Sequence, residues 1–287
     1  MRSLVISGGG SKSSHSIGAL QYLLGDLEIK YTTMHGVSAG AINVAFLAQY
    51  GVGQEKQAIT ELTNLWLKLD TTSIYKNWPF FGKIASIWKN SIFNSSPLHE
   101  LLRSNISLDR IRKSGKTVTV GVLNLSSGKY HTIDQTNDNF IDYVIASSSF
   151  PGALEAVKID GDWWGDGGAK TISPFQASID YGASHIDALI TSPKTRMSYW
   201  ITKPNTSDIL KRTIDLSFDK ILSNDIEKLD MNNKLAMAGV ENKIYIPFNI
   251  IRPQYNLIED LLDFSPSKIK TMMDIGYRDA LSANFIL

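Results

Sequence analysis

The chain has 287 residues, a formal net charge of +1 at pH 7 and no cysteine. This length fills one large α/β domain without requiring a second, so we expect a single domain over 1–287. The near-neutral charge and the lack of an RNA- or DNA-binding motif argue against a nucleic-acid partner. Disulfides and thiolate metal ligands are excluded. Neither a His-Glu-x-x-His spacing nor a calcium loop is present, so we expect no metal and no cofactor.

The sequence also bears on membranes and export. No apolar stretch approaches the roughly 20 residues that cross a bilayer. The first seven residues lead directly into a glycine-rich loop and are too short for a secretory signal. We therefore expect a cytoplasmic protein by default, and delivery to membranes or export by another route stays open.

Composition and periodicity predict strands that alternate with helices. The predicted strands are 4–6, 31–35, 117–123, 129–133, 185–191 and 242–246, the last one ended by Pro247. The predicted helices are 14–24, 41–48, 54–69, 139–147, 176–181 and 265–284, with surface helices between 206 and 240. Charges in this last region, including Asp215 and Asp219, are expected on a solvated face. The alternation indicates a three-layer α/β/α fold with a mainly parallel central sheet.

Residues 8–13 read Gly-Gly-Gly-Ser-Lys-Ser and lie between a predicted strand and a predicted helix. Such a loop presents unpaired backbone N–H groups and suits an anion. A P-loop requires glycine directly before the lysine, and a dinucleotide fingerprint requires glycine at position 13, so neither motif fits. With a candidate nucleophile nearby, we interpret Gly8, Gly9 and Gly10 as an oxyanion hole. A tight turn without a ligand is the alternative.

That candidate nucleophile is Ser38, in the sequence Gly36-Val37-Ser38-Ala39-Gly40. Gly-x-Ser-x-Gly between a strand and a helix is typical of a nucleophile elbow, where small neighbours allow a sharp turn that exposes the serine hydroxyl. The same pattern also occurs as a glycine-rich turn capped by serine, so the motif needs support from other parts of the chain.

A serine nucleophile needs a base. Of the five histidines in the chain, the only late candidate for a Ser-His-Asp triad is His185, which begins a predicted buried strand. A triad therefore stays open but has no support. Asp166, in Asp166-Gly167-Gly168, is the other candidate, although Asp-Gly is also a favoured turn dipeptide.

Together these motifs resemble the patatin-like phospholipase family, which uses a Ser-Asp dyad. The resemblance rests on the loop 8–12, the elbow 36–40, the segment 146–151 (Ala-Ser-Ser-Ser-Phe-Pro), and Asp166-Gly167-Gly168 followed by Pro174. It spans most of the chain and weakens between about 190 and 260. It implies that Ser38 is the nucleophile, that Asp166 accepts its proton, and that the N–H groups of Gly8, Gly9 and Gly10 form the oxyanion hole. Ser13 stands where the family loop usually has glycine.

The resemblance implies a lipid acyl hydrolase of the phospholipase A or lysophospholipase type that works through an acyl-enzyme. The expected partners are a phospholipid or other lipid ester and the surface of a membrane or micelle, and any activating protein is unknown. A thioesterase or general carboxylesterase would share the dyad. A non-catalytic lipid-binding protein is the rival from a different class.

An aromatic-rich insertion at about 71–95 contains Tyr75, Trp78, Phe80, Phe81, Ile84, Trp88 and Phe93. It is either a helical subdomain that packs on the core, or a lid or acyl groove that docks on lipid through Lys76, Lys83 and Lys89. Further candidates for substrate binding are Lys12, Trp163 and Trp164. The two tryptophans either wall the acyl pocket or cover a hairpin.

Overall fold

A central β-sheet organises the protein in a computed structural model that describes residues 1–79, 82, 87–194, 205–257 and 260–283. Its strands are β1 (Arg2–Ile6), β2 (Thr33–Val37), β3 (Thr117–Asn124), β4 (Tyr130–Asp134), β5 (Val157–Ile159), β6 (Asp162–Asp166), β7 (His185–Leu189) and β8 (Phe248–Ile251). Their order in the sheet is β5-β6-β3-β2-β1-β7-β8, and β4 pairs with β3.

The five strands β3, β2, β1, β7 and β8 are parallel neighbours, and β4, β5 and β6 join them in antiparallel pairings. The central strands are apolar and buried on both faces, as is expected when helices cover both sides of a parallel sheet. The predicted α/β fold with a mainly parallel sheet is therefore confirmed.

The helices form a layer on each side of the sheet. They are α1 (Ser14–Leu20), α2 (Ala39–Leu47), α3 (Glu55–Leu67), α4 (Thr71–Ile74), α5 (Ser96–Asn105), α6 (Leu108–Lys113), α7 (Phe140–Ser147), α8 (Phe175–Asp180), α9 (Thr206–Met237) and α10 (Pro266–Ser282). Leu4 and Ile6 of β1 pack in one apolar cluster with α1, α2, α3, α5, α7 and α10. Val5, between them, packs with α8 and α9 on the other face, because neighbouring side chains of a strand point to opposite sides.

Most predicted elements are present with boundaries shifted by a few residues. The first predicted helix continues beyond α1 as a π-helical segment, Gln21–Asp26. The region between 206 and 240 is one 32-residue helix, α9, begun by a capping box in which Asn205 and Asp208 exchange hydrogen bonds. Residue 284 of the last predicted helix lies outside the described residues. Within the described part, no helix combines the length and the apolar composition needed to cross a bilayer.

The last strand lies after Pro247, so the predicted strand 242–246 is wrong. The backbone of Ile246 is bound instead to the Asn233 side chain of α9, which donates to its carbonyl at 2.7 Å and accepts its N–H at 2.9 Å. The Pro247 carbonyl accepts the Ile186 N–H at 3.0 Å, and β8 pairs with β7 from there onward. Proline thus precedes the strand, where its missing N–H costs no ladder hydrogen bond.

The aromatic-rich insertion is tied together at its two ends. Lys76 and Asn94 form an isolated antiparallel bridge, and the rings of Tyr75 and Phe93 lie 4.4 Å apart. The short helix α4 precedes the bridge. Between Lys76 and Asn94 the described residues are turns, bends and irregular backbone, with 3₁₀ geometry at Gly82 and Ile87. The predicted residues Phe80, Phe81, Lys83 and Ile84 lie outside the described residues.

The C-terminal helix α10 packs on α1 with backbone contact. A Cβ atom on Gly18 would lie 1.8 Å from the Met273 carbonyl oxygen, and one on Gly276 would lie 1.9 Å from the His15 carbonyl oxygen. His15 Nε2 and Asp279 Oδ2, 2.8 Å apart, add a polar contact between the two helices. Glycine is therefore required at both crossing positions.

We expect Gly18→Ala to lower the free energy of unfolding by about 1–3 kcal/mol, since the added methyl group forces the two backbones apart. Gly25→Ala is the matched control, because a Cβ there meets nothing within 4 Å, and it should be neutral or slightly stabilising. Urea unfolding of both variants measures the difference. Equal stability of the two variants would contradict the close α1–α10 packing.

Candidate active site

Ser38 lies on a strained turn between β2 and α2. Its backbone has φ 57° and ψ −133°, a conformation that residues other than glycine rarely adopt. A Cβ on Gly36 would lie 2.4 Å from the Gly40 carbonyl oxygen, and a Cβ on Gly40 would lie 2.3 Å from the Ile6 carbonyl oxygen. Both glycines are thus required by close packing, and the local geometry is that of a nucleophile elbow.

The pairing of β3 brings Asp166 to the elbow. Val37, the last residue of β2, pairs with Gly121, and the next residue of β3, Val122, pairs with Asp166 of β6. A strand has two edges, and β4 occupies the other edge of β3 along these residues. Strands β2 and β6 therefore lie end to end on one edge of β3, which places Asp166 beside Ser38.

The Asp166 carboxyl group is buried, with 3% of the residue exposed. Its Oδ1 accepts the Gly168 N–H at 2.8 Å, and it lines the same cavity as the Ser38 side chain. Burial raises the pKa of Asp166 to about 7, although the Gly168 N–H and the Ser38 side chain act to lower it. The carboxyl group is therefore a much stronger base than an exposed aspartate.

The glycine-rich loop crosses close to Ser38, but its three residues differ. The Gly8 N–H donates to the Ile172 carbonyl at 3.1 Å, so the prediction that Gly8 supplies an oxyanion donor is corrected. Gly8 instead packs on Ser38, since a Cβ there would lie 3.0 Å from the Ser38 Cβ. Among the described residues, the N–H groups of Gly9 and Gly10 have no hydrogen-bond partner.

Two hydrogen bonds orient these free N–H groups. The Gly8 carbonyl accepts from Thr191 Oγ1 at 2.8 Å, and the Gly9 carbonyl accepts the Lys12 N–H at 3.1 Å. In a trans peptide unit the C=O and the following N–H point in opposite directions. The N–H groups of Gly9 and Gly10 are therefore held pointing away from Thr191 and from the Lys12 N–H.

Two cavities meet at Ser38. The first, the polar cleft, has an empty volume of about 510 Å³ and is lined by Gly8, Gly9, Gly10, Lys12, Ser38, Phe150, Asp166, Gly168, Ile172, Thr191, Ser192, Asp215, Phe218, Leu222 and Leu261. The second, the apolar cavity, has an empty volume of about 640 Å³. It is lined by Gly10, Ser38, Ala39, Ile42, Leu65, Trp66, Leu69, Ile74, Leu98, Leu101, Leu102, Ser148, Phe150, Leu154, Leu262 and Phe264. The polar cleft is named for its Lys12, Asp166 and Asp215 side chains, although most of its lining is apolar, whereas the second cavity is almost entirely apolar.

The lysine predicted to bind substrate does line the polar cleft. Lys12 is buried, and its Nζ lies 4.0 Å from Asp215 Oδ1 of α9. Asp215 is only partly exposed and lines the same cleft, so the prediction that it lies on a solvated face is corrected. The long-range packing of α9 against the glycine-rich loop has no signal in local charge patterning.

The two predicted tryptophans lie elsewhere. Neither Trp163 nor Trp164 is among the described residues that line either cavity. Trp163 is 43% exposed, and Trp164 packs edge-on against His131 and Tyr143. Because successive side chains of β6 point to opposite faces, one tryptophan faces solvent and the other the core. Of the two interpretations given above, this placement favours the one in which they cover the β5–β6 hairpin.

Ser147 supports the elbow from below, a role that the sequence did not predict. Its Oγ accepts the Ser38 N–H at 2.9 Å and donates to the Gly121 carbonyl at 2.7 Å. Ser147 belongs to the serine-rich segment 146–151 noted above. The sequence therefore identified the segment, but not the hydrogen bonds that Ser147 makes. Thr191, which holds the Gly8 carbonyl, had no comparable signal because it follows an ordinary buried strand.

Histidine does not take part in this geometry. No histidine is among the described residues that line either cavity. His185 contacts Asp187 and Asn249 instead. His35 is buried against Thr119, and burial lowers its pKa to about 3. In the described ranges, no three acidic or histidine side chains are grouped to hold a metal ion.

Comparisons with known proteins give one family match. A family model described as patatin-like phospholipase matches residues 4–178. Among solved structures, the crystal structure of VipD from Legionella pneumophila is similar, with 12% sequence identity and a TM-score of 0.49. The alignment covers 98% of this chain and 66% of that chain, so this chain spans about two thirds of its length. No curated protein sequence gives a significant match.

Proposed function

Because the chain belongs to the patatin-like phospholipase family, we propose that it hydrolyses carboxylic esters of lipids through a dyad of Ser38 and Asp166. The family supports lipid acyl hydrolysis in general terms. The observation that carries the dyad is that the Ser38 side chain, on its strained turn, and the buried Asp166 carboxyl group line one cavity, where Ser38 acts to lower the pKa of Asp166. Phospholipase A or lysophospholipase chemistry is the specific form that we propose.

In the first step Asp166 acts as general base. Ser38 Oγ attacks the ester carbonyl carbon, its proton passes to the Asp166 carboxylate, and the carbonyl electron pair moves onto oxygen. A pKa of about 7 lets the ionised carboxylate be present near neutral pH while it is basic enough to accept the proton. The Gly168 N–H fixes the carboxylate through Oδ1.

The oxyanion would be held by backbone donors. Gly9 and Gly10 offer oriented N–H groups, and the Ala39 N–H, at the first position of α2, points out of a helix N-terminus. Protonated Asp166 then returns the proton to the leaving alcohol, and the tetrahedral intermediate collapses to an acyl-enzyme. Water repeats the sequence, with Asp166 as base again, and releases the fatty acid.

The two cavities suggest how a lipid lies in the site. We assign the acyl chain to the apolar cavity, whose lining from α2, α3 and α5 is leucine-rich, because burying methylene groups is worth about 0.8 kcal/mol each. The alcohol portion would lie in the polar cleft beside Lys12 and Asp215. Ile87 and Trp88 in the insertion are 72% and 71% exposed, which supports docking on a lipid surface.

Two other functions stay as alternatives. A thioesterase or general carboxylesterase would use the same dyad on short, water-soluble substrates. A non-catalytic lipid-binding protein would keep the cavities without acyl transfer. The apolar cavity beside Ser38 favours a long acyl chain over the former, and the basic carboxylate at Ser38 favours catalysis over the latter.

We expect Ser38→Ala to abolish hydrolysis of phospholipid vesicles, and Asp166→Asn to lower kcat/KM by about 10²–10⁴, the usual contribution of a general base. Asp162→Asn, the same change at an exposed position of β6, is the matched control and should leave kcat/KM unchanged. Rates on vesicles and on short p-nitrophenyl esters are measured for each variant.

The outcomes separate the alternatives. Turnover of short esters with none of vesicles would favour a general esterase. No turnover of either substrate, together with no labelling of Ser38 by a fluorophosphonate, would favour a lipid-binding protein. Wild-type rates in Ser38→Ala would refute the dyad.

The acyl assignment predicts a change in chain-length preference. Leu65 lines the apolar cavity and is only partly buried, so Leu65→Trp should shorten the cavity without unfolding α3. We expect kcat/KM for long-chain esters to fall at least about tenfold, whereas butyrate esters are unaffected, since lost methylene contacts cost the long chain most. Leu67→Trp, on the same helix but exposed, is the control. Equal loss for all chain lengths would contradict the assignment.

A further inference from the structure

Helix α9 carries a buried carboxylate that the proposed mechanism leaves unused. Asp225 is 4% exposed, and it is not among the described residues that line either cavity. Its Oδ2 accepts two backbone N–H groups, from Ile172 at 2.8 Å and from Ser173 at 3.0 Å. The family match ends at residue 178, so α9 lies outside the matched residues.

The residues that Asp225 holds are bonded in turn to the glycine-rich loop. The Ile172 carbonyl accepts the Gly8 N–H at 3.1 Å, and Gly8 packs directly on Ser38. Ile172 thus receives a hydrogen bond from the loop and gives one to Asp225. The Asp225 carboxylate is therefore linked to the Gly8 N–H through Ile172 and two hydrogen bonds. Gly8 directly precedes Gly9 and Gly10, the proposed oxyanion donors.

The same segment begins at the proposed base. Asp166 accepts the Gly168 N–H at 2.8 Å, and the Gly167 carbonyl accepts the N–H groups of Lys170 and Thr171. Residues 167–171 are therefore folded into a tight turn, and Asp225 holds the residues directly after it. The segment 166–173 thus starts at the proposed base, Asp166, and contacts the glycine-rich loop near its end. Asp225 fixes that end.

Stability alone accounts poorly for a carboxylate at this position. Burial raises the pKa of Asp225 to about 6, even though the N–H groups of Ser173 and Ile172 and the charge of Lys228 act to lower it. The ionised form therefore pays a net desolvation cost at neutral pH that an apolar residue of similar shape would avoid. Such perturbed groups cluster at functional sites.

We propose that Asp225 is a positioning residue for acyl transfer: by binding the Ile172 and Ser173 N–H groups it holds the Gly8 N–H, and with it the oxyanion loop, in register with Ser38 and Asp166. Asp225 touches neither substrate nor the reacting atoms in this account. The inference rests on the proposed function, since it assigns a support to the same catalytic groups.

The test compares variants that keep or remove the acceptor. Asp225→Asn retains an oxygen that can accept both N–H groups, whereas Asp225→Leu keeps the shape without an acceptor and Asp225→Ala removes both. Asp230→Ala, on the same helix in an exposed ion pair with Lys234, is the matched control. For each variant kcat and KM on a short p-nitrophenyl ester, the rate of Ser38 labelling by a fluorophosphonate, and the thermal unfolding temperature are measured.

We expect Asp225→Leu and Asp225→Ala to lower kcat by about 10- to 100-fold with little change in KM, because a displacement of about 1 Å in a catalytic group costs up to about 100-fold. The labelling rate should fall in parallel. Asp225→Asn should restore kcat to within about threefold of wild type, since an amide oxygen is an adequate acceptor. Asp230→Ala should match wild type in every measurement.

Three results would overturn the inference. They are folded Leu and Ala variants with wild-type kcat, an Asn variant as impaired as the Leu variant, and failure of both removal variants to fold, which would make Asp225 a folding residue. The failure of the dyad itself is distinguishable, because Ser38→Ala and Asp166→Asn would then retain turnover. If Ser38→Ala and Asp166→Asn are inactive while Asp225→Leu and Asp225→Ala keep full activity, only the positioning role of Asp225 is refuted.

Discussion

The active site depends on one edge of β3, which two strands share. Strand β2 pairs with β3 up to Gly121, and β6 pairs with it from Val122 onward. The elbow serine and the Asp-Gly-Gly aspartate thus meet because backbone hydrogen bonds of the sheet fix both strand ends. Residues at the ends of sheet strands are held in more precise positions than residues on loops. A proton transfer between two side chains requires such a precise distance and orientation.

Burial at this junction has two chemical consequences. It raises the pKa of Asp166 to about 7, which would make the carboxylate basic enough for the proposed role of general base without a histidine. It also places a developing oxyanion beside the partly buried Gly9 and Gly10, whose N–H groups would interact with it more strongly than in bulk solvent. The cost of burying the carboxyl group and the strained Ser38 backbone is carried by the surrounding sheet and helices.

Local sequence patterns predicted which residues form this site. They did not predict the hydrogen bonds and packing that hold those residues in place. Glycine spacing around Ser38 and at 8–10, and the Asp-Gly-Gly turn at Asp166, are short-range patterns with direct steric meaning. The hydrogen bond of Gly8 to Ile172 and the support of that residue by Asp225 join distant parts of the chain, and no local pattern encodes them. Trp164 illustrates the same limit, since its neighbours on β4 and α7 decide that it faces the core. The final strand was misplaced because Asn233, thirteen residues earlier, binds the Ile246 backbone.

The central claim is that a buried Asp166 carboxyl group interacts with the Ser38 side chain, and its titration tests this most directly. The carboxyl ¹³C resonance of Asp166, assigned by its loss in Asp166→Asn, should titrate with a midpoint near the pKa of about 7. Since the Ser38 side chain lowers that pKa, Ser38→Ala should move the midpoint upward. A midpoint close to the ordinary value of 3.8, or one that Ser38→Ala leaves unchanged, would contradict the account.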